Sequence, residues 1–139
     1  MDRVTVPITL ESLEDVYRAA RGEIAADQIR RIDVDDARVD TGATRLSLPA
    51  RMIAQLGLMP IRARQAMTST GRITVNAFGA VRLTIQGRDC VCDVTELPDE
   101  VPVLVGQVPL GLLDIVVDLG QRSLIGNPAH GGQHVIELY

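Results

Sequence analysis

Polar and apolar residues alternate along most of this chain, which is the pattern of half-buried β-strands. Helical spacing of apolar residues is confined to short segments. The alternating or extended stretches are residues 3–10, 29–39, 62–80, 81–85, 90–94, 115–118, 123–125 and 135–138, and the helical ones are 13–21, 50–58 and a few residues from Pro109 onward. The pattern therefore predicts an all-β fold, mainly β with short helices.

Cap and turn residues mark the ends of these elements. Ser12, which is followed closely by acidic residues, is a suitable N-cap for the first helix. Gly57 is a suitable end for the second helix. Residues 68–71 predict the turn of a hairpin, and Gly87-Arg88 predicts the two-residue turn of the next hairpin.

The C-terminal part of the chain is expected to close the core and then to become irregular. We expect Leu110, Leu112 and Leu113 to face the core from the last helix. Beyond it the sequence is rich in glycine and has no long periodic segment. We therefore expect a single domain over 1–139, with a flexible tail at about 127–139.

The composition narrows the classes of function. The chain has 139 residues, of which 46% are hydrophobic, so it can bury a core. It contains no lysine, which argues against P-loop and Schiff-base sites, because both need one. A net charge of −4 and an aromatic content of 2% argue against nucleic-acid binding.

Signals for a membrane or for export are not found in the sequence. No apolar run reaches the length of about 18 residues that a membrane span needs, and the first residues form no hydrophobic signal segment. Cys90 and Cys92 are then expected to be reduced thiols. We expect a cytoplasmic protein with no membrane partner.

Two groups of residues have the side chains of metal ligands. They are Asp33 and Asp35 on a predicted strand, and Cys90-x-Cys92 together with His130 and His134. The cysteine spacing is one residue shorter than in common zinc sites, and both histidines lie in the glycine-rich tail. We therefore expect no metal and no cofactor, and a metal-dependent hydrolase built on the aspartates and histidines is retained only as an alternative.

The run Asp40-Thr41-Gly42-Ala43 follows an extended stretch and carries the most chemistry. Asp40 supplies a carboxylate that can hold and activate a water. Thr41 supplies a hydroxyl that can lock the loop by hydrogen bonding. Gly42 allows a tight turn and leaves room for a ligand near the backbone.

Two further segments make this run more specific. The first is Thr44-x-Leu46-x-Leu48-Pro49, followed by a short helix and Leu56-Gly57-Leu58, and the second is the apolar run 103–105, which ends at Gly106 before the last helix. The predicted hairpin lies between them. In this order, over roughly residues 30–128, the chain resembles the retropepsin-like (retroviral-type) aspartic proteases, and most closely their bacterial branch.

The resemblance implies a closed β-barrel lobe and a homodimer, because the chain has one Asp-Thr-Gly and the reaction needs two aspartates. It implies an aspartic endopeptidase that hydrolyses peptide bonds of peptide or protein substrates with a water held by both carboxylates. The residues it implies for catalysis are Asp40, Thr41 and Gly42. Those it implies for substrate binding are Arg38, Ala43 and Thr44 near the loop, and Thr70 and Gly71 at the tip of the hairpin, which would cover the substrate as a flap.

Two departures from the retroviral enzymes occur together. Gly106-Gln107-Val108 stands where those enzymes usually have Gly-Arg-Asp or Gly-Arg-Asn, and Thr44 stands where they have an aspartate. Both partners of a stiffening ion pair are therefore missing. Loss of both partners destabilises the fold less than loss of one, because no buried charge is left unpaired. We therefore do not interpret the change as inactivation.

Arg38 is a further departure, since the family usually has a small or apolar residue there. On a strand its side chain points to the same face as that of Asp40. Three interpretations stay open: Arg38 favours acidic groups in the substrate, it favours the ionised form of the catalytic carboxylate, or it pairs with a surface acid such as Asp36. A non-catalytic dimeric peptide-binding module on the same fold is the alternative function.

Overall fold

The computed structural model describes residues 3–138, and these contain nine strands and three α-helices. The strands are β1 (Val4–Ser12), β2 (Arg31–Val39), β3 (Leu46–Pro49), β4 (Met59–Thr68), β5 (Gly71–Ile85), β6 (Arg88–Leu97), β7 (Leu104–Val105), β8 (Ile115–Asp118) and β9 (Ser123–Gly126). The helices are α1 (Leu13–Ala20), α2 (Ala50–Leu56) and α3 (Gln107–Leu112), with 3₁₀ turns at Ala26–Gln28 and Pro128–His130. The predicted fold class, mainly β with short helices, is confirmed.

Six of the described strands close into a ring. The sheet runs in the order β1-β2-β7-β3-β6-β5-β4, and β1 pairs a second time with β5. This second pairing joins residues 9–12 of β1 to 81–84 of β5, so β1 to β3 and β5 to β7 form a barrel. The predicted barrel-like lobe is confirmed.

Strand β4 lies outside the ring. It pairs only with β5, over residues 59–68 and 71–79. We call this arm, residues 59–78, the flap hairpin. Its two strands meet at Thr68 and Gly71, so the predicted turn at 68–71 is confirmed.

Alternate side chains of the ring strands fill the barrel. Along β1, Val6, Ile8 and Leu10 are buried, whereas Thr5 and Pro7 are exposed. Each of the remaining five ring strands adds leucine or valine side chains to this core, among them Val39, Leu46, Leu48, Leu83, Val94 and Val105. This core supports the strand ends from which the loops project.

Helix α1 is fixed to the barrel by a buried charge. Ser12 caps it as predicted, since its Oγ accepts a hydrogen bond from the Asp15 backbone N–H at 3.3 Å. The buried Asp15 carboxylate accepts three hydrogen bonds from Arg30, one from its backbone N–H and two from its guanidinium. The Arg30 hydrogen bonds hold the pKa of Asp15 below its usual range, against the opposing effect of burial.

Two predictions at α3 are wrong. The helix begins at Gln107 and not at Pro109, because proline is tolerated throughout the first turn, where backbone N–H groups have no partner within the helix. Leu110 and Leu113 are buried as expected, but Leu112 is 48% exposed. Residues three apart share a helix face, and a residue two positions on does not.

Two further predictions, for the turn between β5 and β6 and for residues 135–138, are also wrong. The turn between β5 and β6 is Gln86–Gly87 and not Gly87-Arg88, because both residues have positive φ (51° and 78°), as a type I′ hairpin turn requires. Residues 135–138 form no strand, and the Val135 N–H donates to the Asp114 carboxylate instead of to a neighbouring strand. The flexible tail at 127–139 stays a prediction, and its last residue lies outside the described part of the chain.

The helices in the described part of the chain are short. The longest, α1, has 8 residues. Between residues 3 and 138, no helix is long and apolar enough to cross a membrane.

Candidate active site

Strand β7 fixes the end of β2 up to Asp40. The backbone N–H of Arg38 donates to the Val103 carbonyl oxygen at 2.8 Å. The backbone N–H of Asp40 donates to the Val105 carbonyl oxygen at 3.0 Å. Between them Val39 is buried in the core. The aspartate therefore begins its loop from a fixed backbone position.

The loop after Asp40 is a tight turn that the aspartate itself closes. The backbone N–H of Gly42 donates to Asp40 Oδ1 at 2.9 Å, and that of Ala43 donates to the Asp40 carbonyl oxygen at 3.0 Å. A Cβ at residue 42 would lie 3.2 Å from Oδ1, so glycine gives the carboxylate room in this position. The other oxygen, Oδ2, accepts no hydrogen bond from the described residues and can accept one from a water or a substrate.

Gly106 lies directly beneath this loop. Its backbone N–H donates to the Arg45 carbonyl oxygen at 3.1 Å. A Cβ at residue 106 would come within 2.7 Å of the Ala43 carbonyl oxygen and of two backbone atoms of Arg45. No side chain fits at that distance, which gives a physical reason for the glycine at the end of the apolar run.

The start of α3 completes the support. The N–H groups of Gln107 and Val108 donate to the carbonyl oxygens of Ala43 and Thr44 at 3.0 and 2.8 Å. These are donors that the first turn of a helix leaves without partners. The Asp40 loop and the start of α3 are thus joined by backbone hydrogen bonds between residues 64 positions apart in sequence.

Sequence reasoning missed the role of Gln107. Its side-chain amide Nε2 donates to the carbonyl oxygen of Thr41, within the Asp40 loop. A neutral amide therefore supports the loop where the retroviral pattern has a charged side chain. The signal was present in the sequence as the departure at this position, but a contact between a side chain and a distant backbone atom has no sequence pattern.

A cavity of about 620 Å³ separates the flap hairpin from the barrel. Its floor includes Ala43 and Thr44 of the Asp40 loop, with Ser47, Thr95 and Leu97 of β3 and β6. Its roof is the inner face of the hairpin. We call it the flap cavity, and the predicted substrate-binding residues Ala43 and Thr44 line it.

Asp40 itself opens on the other side of the loop, into a cavity of about 370 Å³. Arg38 and Thr41 line this Asp40 cavity together with the exposed Leu119. The predicted closeness of Arg38 to Asp40 is thus present, and Arg38 forms no ion pair within residues 3–138. Among the described residues that line this cavity, Asp40 is the one carboxylate.

Thr70 and Gly71 lie at the tip of the flap hairpin. The Thr68 hydroxyl donates to the Gly71 carbonyl oxygen at 2.8 Å, and it lies 3.1 Å from the Thr70 hydroxyl. Neither Thr70 nor Gly71 lines the flap cavity, whereas Thr68 and Ile73 do. Their role in substrate binding stays a prediction.

The candidate metal ligands are not brought together. Asp33 lies on β2, where it accepts a hydrogen bond from Thr9 at 2.8 Å. Cys90 and Cys92 pack against the core from β6, and their mutual hydrogen bond, with burial, raises the pKa of Cys92. Between residues 3 and 138, no three His, Cys, Asp or Glu side chains are grouped so as to hold a metal ion.

His130 instead belongs to a cluster that fixes the C-terminal segment. Its Nδ1 lies 2.6 Å from the Asp114 carboxylate and its Nε2 lies 2.8 Å from that of Glu137. Asp114 also accepts from Asn127 and from the Val135 N–H, each at 3.1 Å. The hydrogen bond from His130 is the main cause that lowers the pKa of Asp114 to about 2, and the hydrogen bonds to Glu137 and Asp114 raise that of His130.

The chain was compared with known protein families. Residues 22–112 match the model of a family described as aspartyl protease. The matched range includes the Asp40 loop, the flap hairpin, Gly106 and α3. No curated protein matches the chain.

Proposed function

Since the chain belongs to a retropepsin-like family of aspartyl proteases, we propose that it is an aspartic endopeptidase whose active site forms between two copies. Membership in the family supports protease activity in general. The finer proposal is that Asp40 of each copy supplies one carboxylate of a catalytic pair. A peptide or protein is the substrate.

The observation that carries this proposal is the state of Asp40. One carboxylate oxygen is tied to the Gly42 N–H, the other accepts no hydrogen bond from the described residues, and Asp40 lines a cavity. Hydrogen bonds from β7 and α3 hold the loop from beneath. A carboxylate so fixed can position a water with little reorganisation during the reaction.

The chemistry needs two carboxylates that share one proton. The ionised member takes a proton from the attacking water, and the protonated member donates a proton to the oxygen of the substrate carbonyl. Two carboxylates in contact do not both ionise, so the environment divides these two roles between them. The apparent pKa values then belong to the pair and not to either residue.

A second copy of the chain is the proposed source of the other carboxylate. The described lining of the Asp40 cavity has no second acid, and the sequence has one Asp-Thr-Gly. Next to Asp40, Thr41 is exposed and Leu119 is 81% exposed, which supports a contact surface there. In a dimer with two-fold symmetry the same patch meets itself, which brings the two loops together.

The remaining loop residues take supporting roles in the proposal. Thr41 locks the two loops together through its hydroxyl, and Gly42 gives the loop its close approach. Ala43 and Thr44 offer backbone groups to the substrate from the floor of the flap cavity. Thr70 and Gly71 cover the substrate when the flap closes.

Arg38 favours a second candidate, a dimeric module that binds peptides without cleaving them. Arg38 lines the same cavity as Asp40, and its guanidinium can bind an acidic group of a peptide without taking part in cleavage. This module keeps the fold and the groove.

A cytoplasmic location and the bacterial branch of the family stay predictions.

Peptide cleavage by Asp40→Asn separates the two candidates. We expect wild type to cleave extended peptides within pH 3–8 and Asp40→Asn to lose at least about 100-fold in kcat/KM, since the acid–base groups contribute that much or more. Sedimentation should show the same dimer for both proteins. A wild type that binds these peptides but cleaves none across the pH range supports the binding module.

Unchanged activity in EDTA is expected at the same time. Loss of activity in EDTA would favour the metal-dependent hydrolase instead. The measurement is peptide cleavage by wild type with and without the chelator.

A further inference from the structure

The flap cavity has a charge opposite to that of the whole chain. The sequence carries a net charge of −4. The cavity nevertheless includes three arginines and no aspartate or glutamate among its described lining residues. These arginines are Arg45, Arg62 and Arg64. A cavity lined by positive charge alone attracts an acidic group from outside the chain.

The register of the hairpin places two of these arginines on its inner face. In the antiparallel pairing, Arg62 lies opposite Ala77 and Arg64 lies opposite Val75. Directly paired residues share a face of the sheet, and alternate residues do too. All four line the flap cavity, so the inner face of the hairpin is the one that points to the barrel.

Arg45 approaches from the opposite side of the cavity. It directly follows Ala43 and Thr44 of the Asp40 loop, and its backbone accepts the hydrogen bond from Gly106. Its position is therefore set by the same support that fixes Asp40. A charge bound by Arg45 would lie within a few residues of the scissile bond.

The partners of these arginines differ. Arg62 is neutralised by Asp93 at 2.9 Å. Arg45 and Arg64 form no ion pair with any residue in the described range 3–138. Some arginines elsewhere are matched, as Arg82 is by the buried Glu11 at 2.8 Å, whereas Arg38 and Arg72 form no ion pair within that range either.

We propose that the flap cavity binds an acidic side chain of the substrate between Arg45 and Arg64. The inference rests on the proposed function, because it names the substrate class of that same site. Carboxylates fit a guanidinium through paired, charge-assisted hydrogen bonds. The apolar lining supplied by Ile73, Val75 and Leu97 fits the methylene groups of a glutamate. The enzyme is thus selective for peptides with a glutamate close to the cleaved bond.

Matched peptide pairs test this selectivity. Each pair differs by one glutamate-to-glutamine change, which removes the charge and keeps the shape, and the change is moved along positions on both sides of the cleaved bond. We expect at least one position at which wild type prefers glutamate in kcat/KM by about 5- to 10-fold, as for a partly exposed charge pair. The preference should fall as salt is raised.

Variants assign the preference to the cavity. In the double variant Arg45→Gln with Arg64→Gln, the glutamate preference should fall to about 1. The control is Arg72→Gln, which removes the same charge from the same hairpin at a position that does not line the cavity. It should keep the wild-type preference. An equal loss in Arg72→Gln would assign the effect to the overall charge of the hairpin and overturn the proposal.

Two outcomes separate this inference from the proposed function. If wild type cleaves glutamate and glutamine peptides equally at every position, the inference is overturned and the protease stands. If wild type cleaves nothing, the same peptide pairs are titrated against Asp40→Asn by fluorescence anisotropy. Tighter binding of the glutamate peptide, lost in the double arginine variant, then supports the charge-selective cavity on the binding module, and equal binding overturns it.

Discussion

The flap cavity has two walls, the Asp40 loop and the flap hairpin, and these are built in opposite ways. The Asp40 loop receives backbone hydrogen bonds from β7 and from α3, and Gly106 touches it at a distance that admits no side chain. Residues 60–76 of the flap hairpin pair only within the hairpin, and Met67 near its tip is 75% exposed. Elements with few buried contacts open at low free-energy cost.

This difference divides the tasks of the site. The loop is held by bonds to distant parts of the chain, which suits a group that must position a water accurately. The hairpin is held at its base, which suits a cover that admits and releases a peptide. Charge does not follow this division, because each wall carries one arginine without an ion pair among residues 3–138, Arg64 on the hairpin and Arg45 beside the loop.

The largest expected effect comes from filling the space beneath the loop. Gly106→Ala brings a methyl group within 2.7 Å of three backbone atoms, which cannot move aside as a side chain can. We expect a loss of about 2–4 kcal/mol in the free energy of unfolding, or no folded protein. Urea unfolding followed by circular dichroism measures it.

Gly111→Ala is the matched control in the same segment. A Cβ at residue 111 meets no atom within 4 Å, and alanine favours the helix. Its stability should rise by about 0.5–1 kcal/mol. Equal stability of the two variants would contradict the close packing of loop and α3.

Removal of the Gln107 amide should weaken the supported wall without dismantling it. Gln107→Ala leaves the Thr41 carbonyl oxygen without this donor. We expect about 1 kcal/mol less stability and a lower kcat with little change in KM, because loop position affects the chemical step.

Gln65→Ala is its counterpart on the flap hairpin. There the amide donates to Thr74 at 3.1 Å on an exposed surface. Stability should change by less than about 0.5 kcal/mol, and any effect on activity should appear in KM. If the two variants changed kcat and KM alike, the contrast between the walls would be wrong.

The smallest effect is expected from pH, at the cluster of Asp114 and His130, which lines neither the flap cavity nor the Asp40 cavity. Asp114 has a lowered pKa of about 2, so its contribution to stability is complete above its usual value of 3.8 and is lost as the pH falls toward 2. His130 has a raised pKa, so its contribution is complete below 6.5 and is lost as the pH rises through the raised value.

The expected result is a stability maximum between about pH 4 and 6.5. His130→Gln should lie below wild type in this window, and the gap should narrow at higher pH. Urea unfolding at several pH values measures both proteins. A gap that stays constant from pH 5 to 9 would exclude the His130 contacts as its cause.

The sequence predicts much of this fold because short-range chemistry dictates it. Alternation predicted four of the six barrel strands, β1, β2, β5 and β6, and Ser12 and Gly57 predicted the start of α1 and the end of α2. The short strands β3 and β7 were not predicted as strands. The spacing within Asp40-Thr41-Gly42 has a local cause too, since the turn closes on its own aspartate. These features depend on neighbours in the sequence.

The features that the sequence does not predict depend on register and distant contact. Arg45 and Arg64 share a cavity only because β4 folds over the Asp40 loop, and neither residue has a local pattern that says so. The contact of Gln107 with Thr41 spans 66 positions. The exposure of Leu112 was not predicted either. The apolar residues of a six-residue helix do not define which face of the helix is buried.

The central claim is that two copies of Asp40 make one active site, and mixing tests it most directly. Wild type and Asp40→Asn are combined at constant total concentration, allowed to exchange subunits, and assayed for peptide cleavage. A mixed dimer has one aspartate and should be inactive, so activity should fall as the square of the wild-type fraction. Activity that falls in direct proportion to the wild-type fraction would mean that each chain acts alone, and it would contradict the account.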